Sequence, residues 1–159
     1  MKMTKIFLAF IAMFAISCTQ ENGGGPNNDT AWTNEGSIIG EWELTSFDGS
    51  SEAKPRIYLD LNEDGTFDMY QQAYSVVWLH YTGTFQYDGT TLSGTYSDGE
   101  AWSSEYAATF AAEPKRMRLI SKKSSADISI YIENEIPATI VDEAREPEKV
   151  RSVTIKPFL

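Results

Sequence analysis

Residues 60–71, DLNEDGTFDMYQ, have the polar spacing of a calcium-binding loop. Acidic or amide side chains stand at loop positions 1, 3 and 5, which are Asp60, Asn62 and Asp64. Gly65 takes position 6, where such a loop turns sharply. Position 12, however, is Gln71, which cannot supply the bidentate carboxylate that a calcium loop needs. The flanking apolar residues recur at every second position, which indicates strands rather than helices. The stretch is therefore predicted to be a β-hairpin turn and not a metal site.

The remaining residue types that perform catalysis are scarce. His80 is the one histidine of the chain and Cys18 its one cysteine, which together cannot complete a zinc site of three or four ligands. His80 falls on the polar face of a predicted strand, with no partner that would make a nucleophilic pair. The glycines at 23–25 precede no predicted helix, so they do not form a phosphate-binding loop. We therefore predict no catalytic residue, no metal and no cofactor, and a protein that is not an enzyme.

The first residues have the pattern of an export signal. A short positive segment is followed by an unbroken apolar run from Ile6 to Ile16. That run is too short to span a bilayer as a helix, but it is typical of a secretory signal. AISC at 15–18 resembles the cleavage box of bacterial lipoproteins, whose cysteine is lipidated; AIS also fits an ordinary cleavage site. We expect residues 1–17 to be a lipoprotein signal peptide and Cys18 to carry lipid.

The next segment and the net charge bear on location and partners. Residues 18–36 lack apolar periodicity and are rich in Gly and Asn, which predicts a flexible tether before a domain at 37–159. The formal net charge of −10 argues against a nucleic-acid partner, because an acidic chain repels phosphates. Thr19, rather than Asp, follows the cysteine, so the inner-membrane retention signal is missing. We expect lipid anchoring at the outer membrane, on its periplasmic face or at the cell surface.

From residue 38 onward the apolar residues recur with a period of two. Eight segments with this pattern follow one another, and several are joined by Asp-Gly pairs, which are typical of hairpin turns. One apolar face per strand favours antiparallel pairing with one side exposed to water. The sequence therefore predicts an all-β fold, an eight-stranded antiparallel up-and-down barrel, with a two-sheet sandwich as the alternative. PATIVDEAREP at 137–147 predicts a short C-terminal helix, and VRSVTIKPFL at 150–159 a final strand.

GEW at residues 40–42, at the start of the first strand, resembles the G-x-W signature of the lipocalins. The order of strands, helix and final strand is similar to that family from residue 38 to about residue 155. The chain as a whole resembles the lipocalin-like lipoproteins of Gram-negative bacteria. The resemblance implies that Trp42 closes the base of the barrel and that an arginine stacks on it. Arg145 and Arg151 are the candidates.

An eight-stranded barrel is either just filled by its own side chains or able to hold one small ligand. With Gly40 and Trp42 as the barrel-base signature, an open cup would face away from the turns at 62–65, 88–90 and 114–115. Its expected ligand-binding lining is Ile57, Leu59, Met69, Leu79, Tyr81, Tyr96, Trp102, Ser104, Tyr106, Leu119 and Ile130. This apolar set with a few hydroxyls predicts binding of a small apolar or amphipathic molecule. The alternative is a packed barrel that docks a partner, of a kind the sequence does not specify, within an envelope complex.

Overall fold

The computed structural model describes residues 31–48, 55–73, 76–147 and 157–159. The signal peptide, Cys18 and residues 19–30 of the predicted tether lie outside these ranges. Most of the predicted final strand also lies outside them, and residues 157–159 are not part of a strand. No helix within the described ranges is long and apolar enough to cross a membrane.

The described chain forms eight strands and one short helix. They are β1 (Gly40–Asp48), β2 (Arg56–Leu61), β3 (Thr66–Gln72), β4 (Leu79–Tyr87), β5 (Thr91–Tyr96), β6 (Tyr106–Ala111), β7 (Arg116–Ser121), β8 (Ile128–Glu133) and α1 (Ala138–Glu143). Each strand pairs antiparallel with the next, and β8 pairs with β1, which closes the barrel. The predicted all-β up-and-down barrel is confirmed, and the sandwich alternative is wrong. Closure satisfies the backbone groups that an open sheet would leave at its edges.

The DLNEDGTFDMYQ stretch is the β2–β3 hairpin, as predicted. The Asn62 amide donates to the Thr66 carbonyl over 2.9 Å, and Gly65 has a φ of 82°, which suits a residue without a Cβ. Asp64 Oδ1 accepts hydrogen bonds from the Thr66 hydroxyl at 2.6 Å and the Thr66 amide at 2.9 Å. These hydrogen bonds lower the pKa of the Asp64 carboxyl. The Asp64 carboxylate thus stabilises the hairpin turn through these hydrogen bonds.

The inward face of β8 differs from the prediction. The apolar period predicts Ile128, Ile130 and Ile132 inside, but Ser129 and Tyr131 are the buried residues. Antiparallel partners share a face, and Tyr131 pairs with fully buried Met117. Ile130 therefore lies on the outer face, and its assignment to the ligand cup is wrong. The physical reason is that burying the larger Tyr131 ring fills the barrel, while the isoleucines remain half-buried outside.

Helix α1 covers part of the outer surface of the barrel. Ile140 of α1 packs with Tyr58, Tyr70 and Trp78 in an apolar cluster outside β2, β3 and β4. His80 also lies on this outer face, as predicted. Its ring stacks on Tyr70 with centroids 4.5 Å apart, and its Nε2 is 2.6 Å from Asp68 Oδ1. The described residues contain no group of three or more His, Cys, Asp or Glu placed to hold a metal ion.

Candidate ligand-binding site

The base of the barrel is closed by Trp42, which is fully buried. Its Nε1 donates to the Ile38 carbonyl over 2.8 Å, so the buried polar atom is paired. Gly40, two residues earlier, has a φ of 134°, a conformation that side chains with a Cβ rarely adopt. Both residues of the predicted base signature therefore have a structural role.

Among the described residues, the cation that contacts the Trp42 ring is a lysine. Lys115, in the β6–β7 turn, places its Nζ 5.4 Å from the Trp42 ring centroid and forms an ion pair with Glu133. Arg145 instead pairs through its backbone with the start of β4, where its carbonyl accepts from the His80 amide at 2.9 Å. Its proposed stacking on Trp42 is wrong because α1 carries it to a different side of the barrel. Arg151 lies outside the described residues.

The segment before β1 also covers the base. Thr33 exchanges two backbone hydrogen bonds with Phe110 of β6, at 2.9 and 2.7 Å. The Trp32 ring lies beneath the guanidinium of Arg118, at 4.6 Å from its centroid. Residues 31–36, the last part of the predicted tether, thus lie against the barrel. Gly36 allows this contact, since a Cβ there would come within 2.4 Å of the Phe110 ring.

Ten of the eleven predicted lining residues are buried in the barrel, the exception being Ile130. Those ten are Ile57, Leu59, Met69, Leu79, Tyr81, Tyr96, Trp102, Ser104, Tyr106 and Leu119, none more than 8% exposed. All but Ser104 belong to one core cluster with Trp42. Trp102 and Ser104 lie in the β5–β6 connection rather than on a strand, and the Trp102 amide donates to the Gly94 carbonyl. The structure therefore brings together the predicted lining of the cup.

Aromatic rings fill much of this interior. Phe67 contacts Trp102 and Tyr96 edge to face, with centroid distances of 5.1 and 5.7 Å, and Tyr81 contacts Tyr96 at 5.8 Å. The inward glycines of β4 and β5 do not leave empty space. A Cβ at Gly83 would lie 2.8 Å from the Phe67 ring. Large rings and small residues are thus matched across the barrel, as in a packed core.

Four phenols place hydroxyl groups in or near this interior. Burial raises the pKa of Tyr81 to about 12. Burial also raises the pKa of Tyr96, and the nearby Tyr106, Tyr81 and Tyr131 phenols raise it further. Burial, with a contribution from Tyr106, raises the pKa of Tyr131. These groups are therefore neutral hydroxyls at physiological pH.

The serine hydroxyls near the open end form hydrogen bonds within the chain itself. The Ser121 hydroxyl donates to Ser104 Oγ over 2.9 Å, and the Ser104 hydroxyl donates to the Glu105 carbonyl over 2.7 Å. Ser104 is buried as expected, but its hydroxyl is already used to hold the β5–β6 connection against β7. It is therefore a poorer ligand contact than its residue type indicates.

Two other buried polar atoms, unlike these serine hydroxyls, are not hydrogen-bonded within the described part of the chain. Trp102 Nε1 and the Tyr131 hydroxyl have no hydrogen-bond partner within the described part of the chain. Tyr131 is completely buried and Trp102 is 4% exposed. Leaving a buried donor unpaired costs about 1–3 kcal/mol. The interior therefore retains hydrogen-bonding capacity that the described chain does not use.

Gln71 is an inward residue that the sequence analysis missed. It pairs with Ile57 and Leu79 across β2 and β4, two inward residues, and its exposed fraction is 0%. The alternation of Phe67 and Met69 continues to residue 71, so the signal was present. The calcium-loop spacing assigns Gln71 to position 12, and its polar side chain does not by itself predict an inward position. Ser121, Ser129 and Tyr131 were missed for similar reasons.

Residues 157–159 occupy the open end of the barrel. The Phe158 amide donates to Gln71 Oε1 over 2.8 Å, and the Leu159 backbone oxygen accepts from the Tyr96 hydroxyl over 2.8 Å. The Phe158 ring meets Phe47 of β1 edge to face at 5.0 Å. Leu159 is 1% exposed and belongs to the interior core cluster. The chain's own residues therefore fill the region predicted as the mouth of a ligand cup.

The family model of the lipocalin-like domain matches residues 38–113, which run from just before β1 to just after β6. None of the curated proteins compared with the chain matches it. The matched range contains Gly40 and Trp42 at the base and nine of the ten buried lining residues, all but Leu119. The family match and the closed eight-stranded barrel together support the assignment of this chain to the lipocalin-like family.

Proposed function

We propose that this protein is a lipid-anchored envelope lipoprotein whose barrel binds a small apolar or amphipathic molecule. The observation that carries the binding function is the pair of unpaired donors, Trp102 Nε1 and the Tyr131 hydroxyl, in an aromatic interior. A ligand oxygen that accepts from either donor offsets the cost of burying it. Apolar walls with a few convergent polar groups are typical of small-molecule sites.

The same interior favours a neutral ligand and binding without chemistry. The buried polar side chains of the described residues are Gln71, Ser104, Ser121 and Ser129, none of which carries a charge. A charged ligand group would lose its hydration there without an opposite charge to replace it. The inward phenols, whose pKa values burial raises, act as hydrogen-bond donors rather than as bases. His80, the one histidine, is on the outer face.

A titration with Prodan, a neutral naphthyl ketone whose emission shifts in apolar surroundings, tests this function. Its carbonyl can accept from the indole N–H, so Trp102→Phe should weaken binding by about tenfold while keeping an aromatic ring. Trp78→Phe is the matched control, because Trp78 packs in the outer cluster under α1. Native mass spectrometry of protein purified from its own cells should show a bound small molecule. The function is wrong if neither the wild type nor a Leu159→Gly variant binds Prodan and no molecule is carried through purification.

A second candidate function is a docking module with a solid barrel. The density of the interior favours it: Leu59, Leu61, Met69 and Leu92 are each 0% exposed. Under this proposal the barrel is a rigid support, and its outer face binds a protein of the envelope. Substitutions inside the mouth would then change stability and leave every binding measurement unaltered.

The membrane location is proposed from the sequence of the first residues. The apolar run before Cys18 and the small Ser17 support export and lipidation. Two or more acyl chains would anchor the protein durably, because each buried CH₂ contributes about 0.8 kcal/mol. Metabolic labelling with a fatty-acid analogue tests this: wild type should take up label and Cys18→Ser should not. Equal labelling of the two proteins would contradict lipidation, and protease treatment of whole cells would separate the periplasmic face from the cell surface.

A further inference from the structure

Residues 157–159 contact the barrel as a ligand would, through side chains rather than through strand pairing. The Phe158 amide and the Leu159 backbone oxygen are paired with Gln71 and Tyr96, which belong to β3 and β5. Residues 157–159 make no ladder with any strand. The Leu159 side chain is buried with the inward residues of the cup.

The position of Gln71 makes this contact specific. The Gln71 side-chain amide has no exposed surface and lies between Ile57 and Leu79. Burying such an amide costs free energy unless its polar atoms are hydrogen-bonded. Its Oε1 accepts from the Phe158 amide, and an apolar residue at the same place would avoid the cost altogether. Gln71 therefore has the properties of a group that recognises an N–H inside the mouth. The Tyr96 hydroxyl, facing Leu159, is the matching donor for an oxygen acceptor.

We propose that residues 157–159 are an internal ligand of the cup and that the external molecule which displaces them is an apolar amide. This rests on the ligand-binding function proposed for the barrel. The displacing amide donates its N–H to Gln71 Oε1, accepts from the Tyr96 hydroxyl at an oxygen atom, and places an apolar group where the Leu159 side chain lies. A hydrocarbon without an amide fills the same space but makes neither the hydrogen bond to Gln71 Oε1 nor the one from the Tyr96 hydroxyl.

Weakening the internal ligand in the full chain should strengthen external binding. Removing the buried side chain in Leu159→Gly should raise the affinity for Prodan by about tenfold or more, because the internal competitor loses most of its buried apolar surface. Phe158→Ala should act in the same direction with a smaller effect, since Phe158 is only half-buried. Val141→Ala, on the exposed side of α1, is the control and should bind Prodan as the wild type does.

Competition with a synthetic dipeptide tests the amide. Acetyl-Phe-Leu-amide should displace Prodan from Leu159→Gly, and its analogue methylated on the Phe nitrogen should be about tenfold weaker because it lacks the N–H for Gln71. In Gln71→Leu the two peptides should compete equally. Equal competition by both peptides in the Leu159→Gly variant would overturn amide recognition.

The internal-ligand proposal can also be tested on the wild-type protein, without any substitution. Saturating acetyl-Phe-Leu-amide should move the NMR signals of the Phe158 and Leu159 amides toward the positions of an unstructured peptide. If those signals stay in place while Prodan or the peptide binds, the internal-ligand proposal is wrong and the ligand-binding function stands. Equal Prodan affinity of Leu159→Gly and wild type would likewise reject the internal-ligand proposal and leave the ligand-binding function standing. Failure of every protein to bind Prodan and the peptide rejects both proposals.

Discussion

Trp102 lies directly against Gly94, and a Cβ built on Gly94 would be 2.3 Å from Cε2 of the Trp102 ring. The Trp102 ring, which comes from the β5–β6 connection, thus packs on the space left by the missing side chain of Gly94 in β5. This contact joins the wall of the barrel to the end at which residues 157–159 lie.

We expect Gly94→Ala to lower the free energy of unfolding by about 1–3 kcal/mol, because the added methyl group forces the indole out of its place. Urea unfolding measures the change. The matched control is Ser93→Ala, the half-buried neighbour on the outward side of β5, which should stay within about 0.5 kcal/mol of the wild type. A Gly94→Ala protein as stable as this control would show that Trp102 does not pack there.

The cation beside Trp42 gives a second prediction. Lys115→Met should lower the stability by about 0.5–1 kcal/mol, because Lys115 is partly exposed and such cation–ring contacts are weak there. With both variants made in a Trp78→Phe background, because the Arg145 amide donates to the Trp78 carbonyl, Arg145→Met should leave the remaining tryptophan fluorescence unchanged, since Arg145 pairs with β4 and not with the base. A larger spectral change for Arg145→Met than for Lys115→Met would contradict the arrangement described.

The β2–β3 hairpin should be indifferent to calcium. Gly65→Val should cost about 1 kcal/mol or more, because a β-branched residue resists the positive φ at that position. Asp60→Asn, on the outer face of β2, should be nearly neutral. Thermal melting with and without millimolar calcium measures both effects. A calcium-dependent rise of several degrees that Asp60→Asn abolishes would restore the metal-site interpretation.

Two buried tyrosines should respond differently to loss of the hydroxyl. Tyr131→Phe removes an unpaired buried hydroxyl, so stability should stay the same or rise, while Prodan binding weakens. Tyr96→Phe removes the donor to the Leu159 backbone oxygen and should cost about 1 kcal/mol. Urea unfolding of both variants checks the contrast. A loss of stability in Tyr131→Phe as large as in Tyr96→Phe would mean that the Tyr131 hydroxyl is paired.

The buried phenols predict a particular alkaline behaviour. The folded-state pKa of Tyr81 is raised to about 12 from an ordinary value of 10.0, so the folded state keeps its proton after the unfolded state has lost it. This stabilising contribution is complete below pH 10 and is lost as the pH rises through 10 toward 12. Tyr81→Phe should therefore reduce the decline of stability over that range. Absorbance of tyrosinate against pH, with circular dichroism, measures it; tyrosinate formation by Tyr81 well below the unfolding pH would contradict burial.

The local pattern of the sequence predicted the elements and the burial of most of the residues assigned to the interior. The period of two specifies strands because one face of each is buried, and Asp64-Gly65 specifies a turn because glycine accepts a positive φ. These signals depend on neighbouring residues alone. They were sufficient for eight strands and for the burial of ten of the eleven predicted lining residues. The position of Trp42 at the base was implied by the resemblance to the lipocalins.

The tertiary structure decided what depends on partners distant in the chain. The face of β8 follows from its register with β7, because either Tyr131 or the alternating isoleucines could have been buried. The cation on Trp42 is Lys115 because barrel closure brings the β6–β7 turn to the base. The contacts of Phe158 and Leu159 with Gln71 and Tyr96 join residues 87 and 63 positions apart. No local periodicity encodes such contacts, since they arise only when the closed barrel provides a mouth for residues 157–159 to fill.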